Sequence, residues 1–243
     1  MKAKLISLML TCLLGATCAQ AQFTFYGKIE YERKMNLHRQ LEGNEWMERF
    51  KSQLPKFMTH YFDLTFAPGV TFYQQGREIE QPKMMMGGDM GLKTQVYTDL
   101  AHNQVTASKQ VFEQKFLVKD SVRNMRWRIT DEVRDIANYK CRKAVGIILD
   151  SVYVVAFYTD EIPVSGGPEM FAGLPGMILE LAIPRLYTTW IATKVEVKQV
   201  NVADLKAPDK GREISQQDLL DKLISSTRDW GDMGKMAIWW SVL

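Results

Sequence analysis

Cysteine is nearly missing from this chain of 243 residues, with three in all, at positions 12, 18 and 141. Cys12 and Cys18 fall in an N-terminal segment with the marks of an export signal, so the exported form would keep Cys141 alone. That excludes an intramolecular disulfide and a cysteine-rich zinc site. Histidine is equally sparse. His38, His60 and His102 are far apart and show no His-x-His or His-Glu-x-x-His spacing, so no metal site is expected. Beyond the N-terminus no apolar run approaches the ~20 residues of a membrane span, so no transmembrane segment is expected in the exported chain. Excess charge is lacking too. Without Lys2 and Lys4 the basic count is 31 − 2 = 29 against 28 acidic residues, a net charge of 29 − 28 = +1. This gives no electrostatic reason to bind nucleic acid.

Signatures of catalysis are also missing. No glycine-rich phosphate loop precedes a helix. Ser165 lies in Val-Ser-Gly-Gly, which is not a nucleophile elbow. The acidic pairs Asp131–Glu132 and Asp160–Glu161 are adjacent in sequence, and strand neighbours face opposite ways, so neither is poised as an acid–base dyad. No catalytic residue and no cofactor is expected, and the chain reads as a non-enzyme.

What is present begins with the leader. Lys2 and Lys4 precede an apolar run from Leu5 to Ala16, and Ala19-Gln20-Ala21 supplies small residues for a signal peptidase. A signal peptide over residues 1–21 is expected, cleaved after Ala21. Neither Cys12 nor Cys18 has the context of a lipid-anchored cysteine. The expected location is the periplasm or the periphery of the outer membrane.

Period-two alternation dominates the remaining 243 − 21 = 222 residues. Phe23, Phe25, Ile29 and Tyr31 fall on one face of a first strand and Thr24, Lys28, Glu30 and Glu32 on the other. Residues 44–58 change period, with Trp46, Met47, Phe50, Leu54 and Met58 forming a helical stripe behind a possible N-cap at Asn44. Strands are then expected at His60 to Phe66, Val70 to Gln74, Gln95 to Asp99, Phe112 to Val118, Met125 to Ile129, Asn138 to Leu149, Val152 to Tyr158, Met177 to Ile183 and Thr189 to Val197. Ser215, with Asp218 three residues on, caps a final helix. The apolar tail Met236 to Leu243 reads as an edge strand. Many short strands at close spacing point to a mostly β, β-rich α+β fold. The expected architecture is a single domain over 22–243, one large curved antiparallel sheet or half-barrel with two accessory helices.

The segment Phe171-Ala172-Gly173-Leu174-Pro175-Gly176-Met177-Ile178-Leu179-Glu180-Leu181 resembles the signature of the GLPGLI family, with Met177 where the family has its second leucine. Trp127-Arg128-Ile129 looks like the family's Trp-x-Ile block. Tyr139-Lys140-Cys141-x-Lys143-Ala144 looks like its Tyr-x-Cys-x-Lys-Ala block. The linking run Glu161 to Ser165, then Gly167-Pro168, also matches. The resemblance covers roughly residues 125–183. It implies an exported protein of Bacteroidetes-type bacteria, in a family of unknown function.

Leu174-Pro175-Gly176-Met177 fits a type II turn, with proline presetting the second position and Gly176 supplying positive φ at the third. Gly173 would allow close backbone approach. The turn ends a loop, Asp160 to Gly176, and long loops in compact domains are commonly functional. Glu161, Phe171 and Leu174, with Trp127 and Tyr139 behind them, are therefore candidates for a ligand or partner rim, with Gly173, Pro175 and Gly176 as the structural turn. Cys141 reads either as a buried small hydrophobe or as a reactive thiol. Met84, Met85, Met86 and Met90 read either as adaptable apolar side chains or as soft ligands for Cu(I). Two functions stay open. One is a non-enzymatic periplasmic binding or carrier module for an apolar ligand. The other is an accessory protein that docks an outer-membrane receptor or another envelope protein through the 160–176 loop.

Overall fold

A computed structural model describes residues 23–43, 49, 51–80 and 91–243. The expected signal peptide, the methionines at 84–86 and 90, and most of the expected helix over 44–58 lie outside these residues. Among the described residues no helix is long and apolar enough to cross a membrane.

Among the described residues twelve strands form one sheet that does not close into a barrel. They are β1 (Gly27–Asn36), β2 (Phe57–Ala67), β3 (Val70–Gln75), β4 (Gln95–Asp99), β5 (Gln104–Val111), β6 (Gln114–Ser121), β7 (Arg128–Ile136), β8 (Tyr139–Ile148), β9 (Val152–Thr159), β10 (Met177–Ile183), β11 (Thr188–Val197) and β12 (Arg212–Ile214). The spatial order is β12-β6-β5-β4-β3-β2-β1-β11-β10-β9-β8-β7. Two meanders therefore meet where β1 pairs with β11. Pairing is antiparallel throughout except for β12, which joins β6 in parallel. The α-helices among the described residues are α1 (Leu37–Gln40), α2 (Gln216–Ser226) and α3 (Gly231–Ser241).

Alternation explains the core. On β1, Ile29, Tyr31, Arg33 and Met35 are buried in step with one another. Phe62, Leu64 and Phe66 on β2 and Tyr73 on β3 meet them. Ser215 caps α2 as its sequence indicates, accepting from the Asp218 amide at 3.0 Å. Leu219 and Leu223 form the buried stripe of α2.

Four expectations need correction. Phe23 and Phe25 are exposed and pack on each other, with ring centroids 6.4 Å apart. The chain there has not yet joined the sheet, and Thr24 is the buried residue, its amide donating to Glu161 O. Met58 belongs to β2, where it pairs with Met35, and not to a helix over 44–58. The strand expected at Met125 to Ile129 begins later, at Arg128. The tail is no edge strand. Residues 231–241 are helical, and Trp240 is buried against Trp190 of β11 with centroids 6.0 Å apart. An apolar run without a clear period is compatible with either state, and here docking over the sheet decides it.

Candidate functional site

The 160–176 loop is built into the body of the protein. Phe171 and Leu174 are 1% and 2% exposed. Backbone amides tie the loop to itself and to its surroundings: Met177 N donates to Ile162 O at 3.0 Å, Ile178 N to Gly166 O at 2.8 Å, and Met170 N to Leu243 O at 3.0 Å. Trp127 is half-buried and its indole Nε1 donates to Ala172 O at 2.9 Å, while Gly173 N donates to Ser165 Oγ at 2.9 Å. Glu161 accepts from Lys140 N on β8 at 3.3 Å, one residue from the half-buried Tyr139. The structure thus joins Trp127 to the loop at Ala172 and Glu161 to β8. It places Phe171 and Leu174 in the core and away from any rim.

The turn differs from the expected type. Gly176 N donates to Leu174 O at 2.8 Å, which closes a three-residue turn on Pro175. The two glycines exchange the roles foreseen for them. Gly173 carries the strongly left-handed φ of 93°, with the Trp127 indole at ordinary van der Waals distance, 3.6 Å, from where a Cβ would stand. Gly176, at φ 150°, is the close approach: a Cβ there would lie 2.0 Å from Thr159 O. Cys141 is buried, with Sγ donating to Tyr139 O at 3.5 Å. Burial, with Glu161, Glu180 and Asp135 nearby, pushes its thiol up to about 12. Such a thiol is unreactive at neutral pH. Among the described residues no group of three or more His, Cys, Asp or Glu side chains converges.

A different set of residues does converge, under α3 on the inner face of the sheet. Arg33 of β1 is 0% exposed, Lys109 of β5 is 3% exposed and Glu169 of the loop is 4% exposed. Tyr73 links them to the core: Trp190 Nε1 donates to its hydroxyl at 3.1 Å, and that hydroxyl donates to Glu169 Oε1 at 3.4 Å. The Arg33 guanidinium stacks between Phe62, 4.8 Å from the ring centroid, and Trp240, at 5.2 Å. Its Nη2 meets His60 Nδ1 at 3.4 Å. Arg123, between β6 and β7, donates to Gln216 Oε1 at 3.2 Å and to Val242 O.

Electrostatics follow from burial. Desolvation lowers the Arg33 guanidinium, and Glu169 and Tyr73 partly restore it. Desolvation pushes Lys109 down to about 8, against the pull of Glu169 and with Arg123 adding to the fall. Arg123 falls to about 10 by burial. Glu169 is raised by desolvation, with Lys109 and Arg33 opposing. Its backbone is left-handed, φ 55°, an unusual state for a residue other than glycine and a local cost accepted to turn this carboxyl inward.

Lys109 opens onto a cavity of about 290 Å³ between β5 and α3, lined also by Thr94, Val111, Phe112, Trp240 and Ser241. A broader groove of about 700 Å³ runs over β8 and β9 beside Arg128, Ile147 and Tyr153.

The signal for this cluster is in the strand parity. Extending the inward phase of Ile29 and Tyr31 reaches Arg33. Val105, Ala107, Lys109 and Val111 share one face of β5. A charged residue on an apolar face marks a buried charge.

Residues 147–180, from the end of β8 into β10, match a family model described as "Protein of unknown function (Porph_ging)". Glu169 lies inside the match; Arg33, Tyr73 and Lys109 lie outside it. No curated protein sequence matches the chain. Among solved structures the fold is similar to that of PNGF-II in its C2 crystals, with TM-score 0.52 and 15% identity over 88% of this chain and 32% of that one. In the P21 crystals of PNGF-II the TM-score is 0.53, at 15% identity over 82% of this chain and 33% of that one. The chain thus spans about a third of PNGF-II. These likenesses concern the fold alone.

Proposed function

We propose that this is an exported envelope protein of the GLPGLI type that acts as a non-enzymatic binding or carrier module, with the cavity between β5 and α3 as its ligand site. One observation carries the reading: the cavity combines apolar walls, Val111, Phe112 and Trp240, with a few convergent polar groups. Ligand sites commonly have that composition, and the volume of about 290 Å³ suits a small ligand. The inner face beside it is filled with side chains, Tyr31, Phe62, Tyr73 and Trp190 among them. Export rests on the leader-like residues 1–21. A fold that also recurs within a longer chain suits a module.

Native mass spectrometry of protein purified from its own envelope tests the proposal. The expected result is a signal-free chain, beginning at Gln22, that carries a small-molecule mass. A ligand-free chain found only with a protein partner would replace it with the docking reading. That second reading has its own support, at a different place from the loop. Ile129, Val133, Ile147 and Tyr153 are exposed on β7 to β9, next to the open edge of the sheet at β7.

A further inference from the structure

The groups around the cavity specify the sign of what it holds. Arg33, Lys109 and Arg123 bring three cations and Glu169 one carboxylate, so the cluster carries 3 − 1 = +2 even with Glu169 ionised. Among the described residues none of these four makes a direct ion pair. Several buried donors also lack acceptors: Nε and Nη1 of Arg33, Nη1 of Arg123 and the indole Nε1 of Trp240. Buried polar groups are ordinarily satisfied, and buried charges are ordinarily paired. Ser108 Oγ on β5 is also without a partner and can donate or accept, but the four orphaned nitrogens can only donate.

Geometry brings the deficit to the cavity. Trp240 and Lys109 line it directly. Gly91 lines it too, and a Cβ on Gly91 would come within 3.1 Å of Arg33 Nη1 and 3.8 Å of Trp240 Cε3. Arg33 therefore lies immediately behind the wall at Gly91, stacked on the Trp240 ring. Opposite these donors the wall is apolar, at Val111 and Phe112.

We propose that the cavity binds a small amphiphilic organic anion, its acidic group held by Lys109 with Arg33 and the Trp240 indole N–H behind it, and its apolar body against Val111 and Phe112. The inference rests on the reading of this cavity as the ligand site, and it adds the charge and the polarity of the ligand. A carboxylate or phosphate ester would pair with Lys109, which lines the cavity, through a charge-assisted hydrogen bond, with the Arg33 charge behind the wall adding to the attraction. It would also offset the excess buried cationic charge that the fold otherwise carries.

Calorimetric titration of the full chain with four probes tests this: octanoate, octanol, octylamine and acetate. Octanoate should bind at least tenfold more tightly than each of the other three. Lys109→Gln should lower octanoate affinity tenfold or more and remove the preference over octanol. Trp240→Phe keeps an aromatic ring and removes the N–H, and although the smaller ring affects both probes it should weaken octanoate more than octanol. Circular dichroism and thermal melts of both variants establish that they are folded. Equal binding of octanoate and octanol would overturn the anion assignment while leaving the apolar ligand site intact. Preference for octylamine would overturn it outright. Acetate binding as tightly as octanoate would remove the apolar body. Binding of none of the four would overturn this inference and the choice of cavity together.

Discussion

The 160–176 loop and the charge cluster beneath α3 are both buried, and they are buried for opposite reasons. In the loop no buried side-chain nitrogen or oxygen is left without a partner, and its large side chains, Phe171 and Leu174, are apolar. In the cluster a guanidinium and an ammonium sit on apolar strand faces, and the guanidinium has donors unanswered. The first arrangement is what stability requires. The second opposes stability, and a fold retains such a feature most readily where it serves binding. Conspicuous sequence and proposed site are thus separated: the Gly-Leu-Pro-Gly motif lies in the packed loop, while Lys109 of β5 lines the cavity and Arg33 of β1 stands behind its wall.

Substitutions that act oppositely in the two regions sharpen this contrast. The largest effect belongs to Gly176→Val. Its Cβ would stand 2.0 Å from Thr159 O, so the β9–β10 connection must move, and a loss above about 4 kcal/mol or failure to fold is expected. A soluble variant with a near-native denaturant midpoint would show that the turn is not structural. Phe171→Ala should follow, at about 3–5 kcal/mol for a buried aromatic truncation. If it melts like the parent and loses a bound ligand or partner instead, the loop is a site after all.

Lys109→Met should act in the other direction and stabilise the protein by about 1–3 kcal/mol at neutral pH. The sign follows from protonation. Lys109 holds its proton to about 8 when folded and to its ordinary 10.5 when unfolded, so between those values the unfolded chain binds more protons and stability rises with pH. The penalty is fully present below pH 8, where the displacement corresponds to roughly 3 kcal/mol. The advantage of the Met variant should therefore shrink between pH 8 and 10.5 in urea titrations. A variant less stable than the parent at pH 7 would break the contrast between the two regions. Smallest is Trp127→Phe, which removes the bond to Ala172 O and should cost about 1 kcal/mol. No change in thermal midpoint would make that tether incidental.

Much of the architecture is legible in the sequence, because a strand with one buried face writes its period into the chain. Val152 to Tyr158, Met177 to Ile183 and Thr189 to Val197 correspond closely to β9, β10 and β11. Ser215 and Asp218 mark the start of α2 through a local bond that needs no tertiary context. The α3 helix is illegible for the complementary reason. Its apolar residues, from Met236 to Trp240, are set by what lies beneath them. For the site, parity alone shows that Arg33 and Lys109 face inward. It cannot show that both approach Glu169, because three further strands, β2, β3 and β4, stand between β1 and β5, and Glu169 arrives from a loop on the other meander. A motif-led reading goes to the loop, where the unusual residues are, and misses charges that are remarkable only for their surroundings.

The seam between β1 and β11 also sets an order of events. The strands from β1 to β6 pair with sequence neighbours and can zip as soon as they are available, and the same holds from β7 to β11. Gly27 must wait for Val197, and the Tyr31 hydroxyl for Ile178 O, 147 positions away. Closing so long a loop is entropically slow, and until it closes β1 and β11 both present raw edges to other chains. We expect the seam to be the rate-limiting step of folding and the point of greatest vulnerability to aggregation. Pulse-labelled hydrogen exchange would show this as late protection of the amides that β1 shares with β11, after those it shares with β2, and simultaneous protection of both sets would refute it. A chain built this way is safest when its second meander emerges soon after its first.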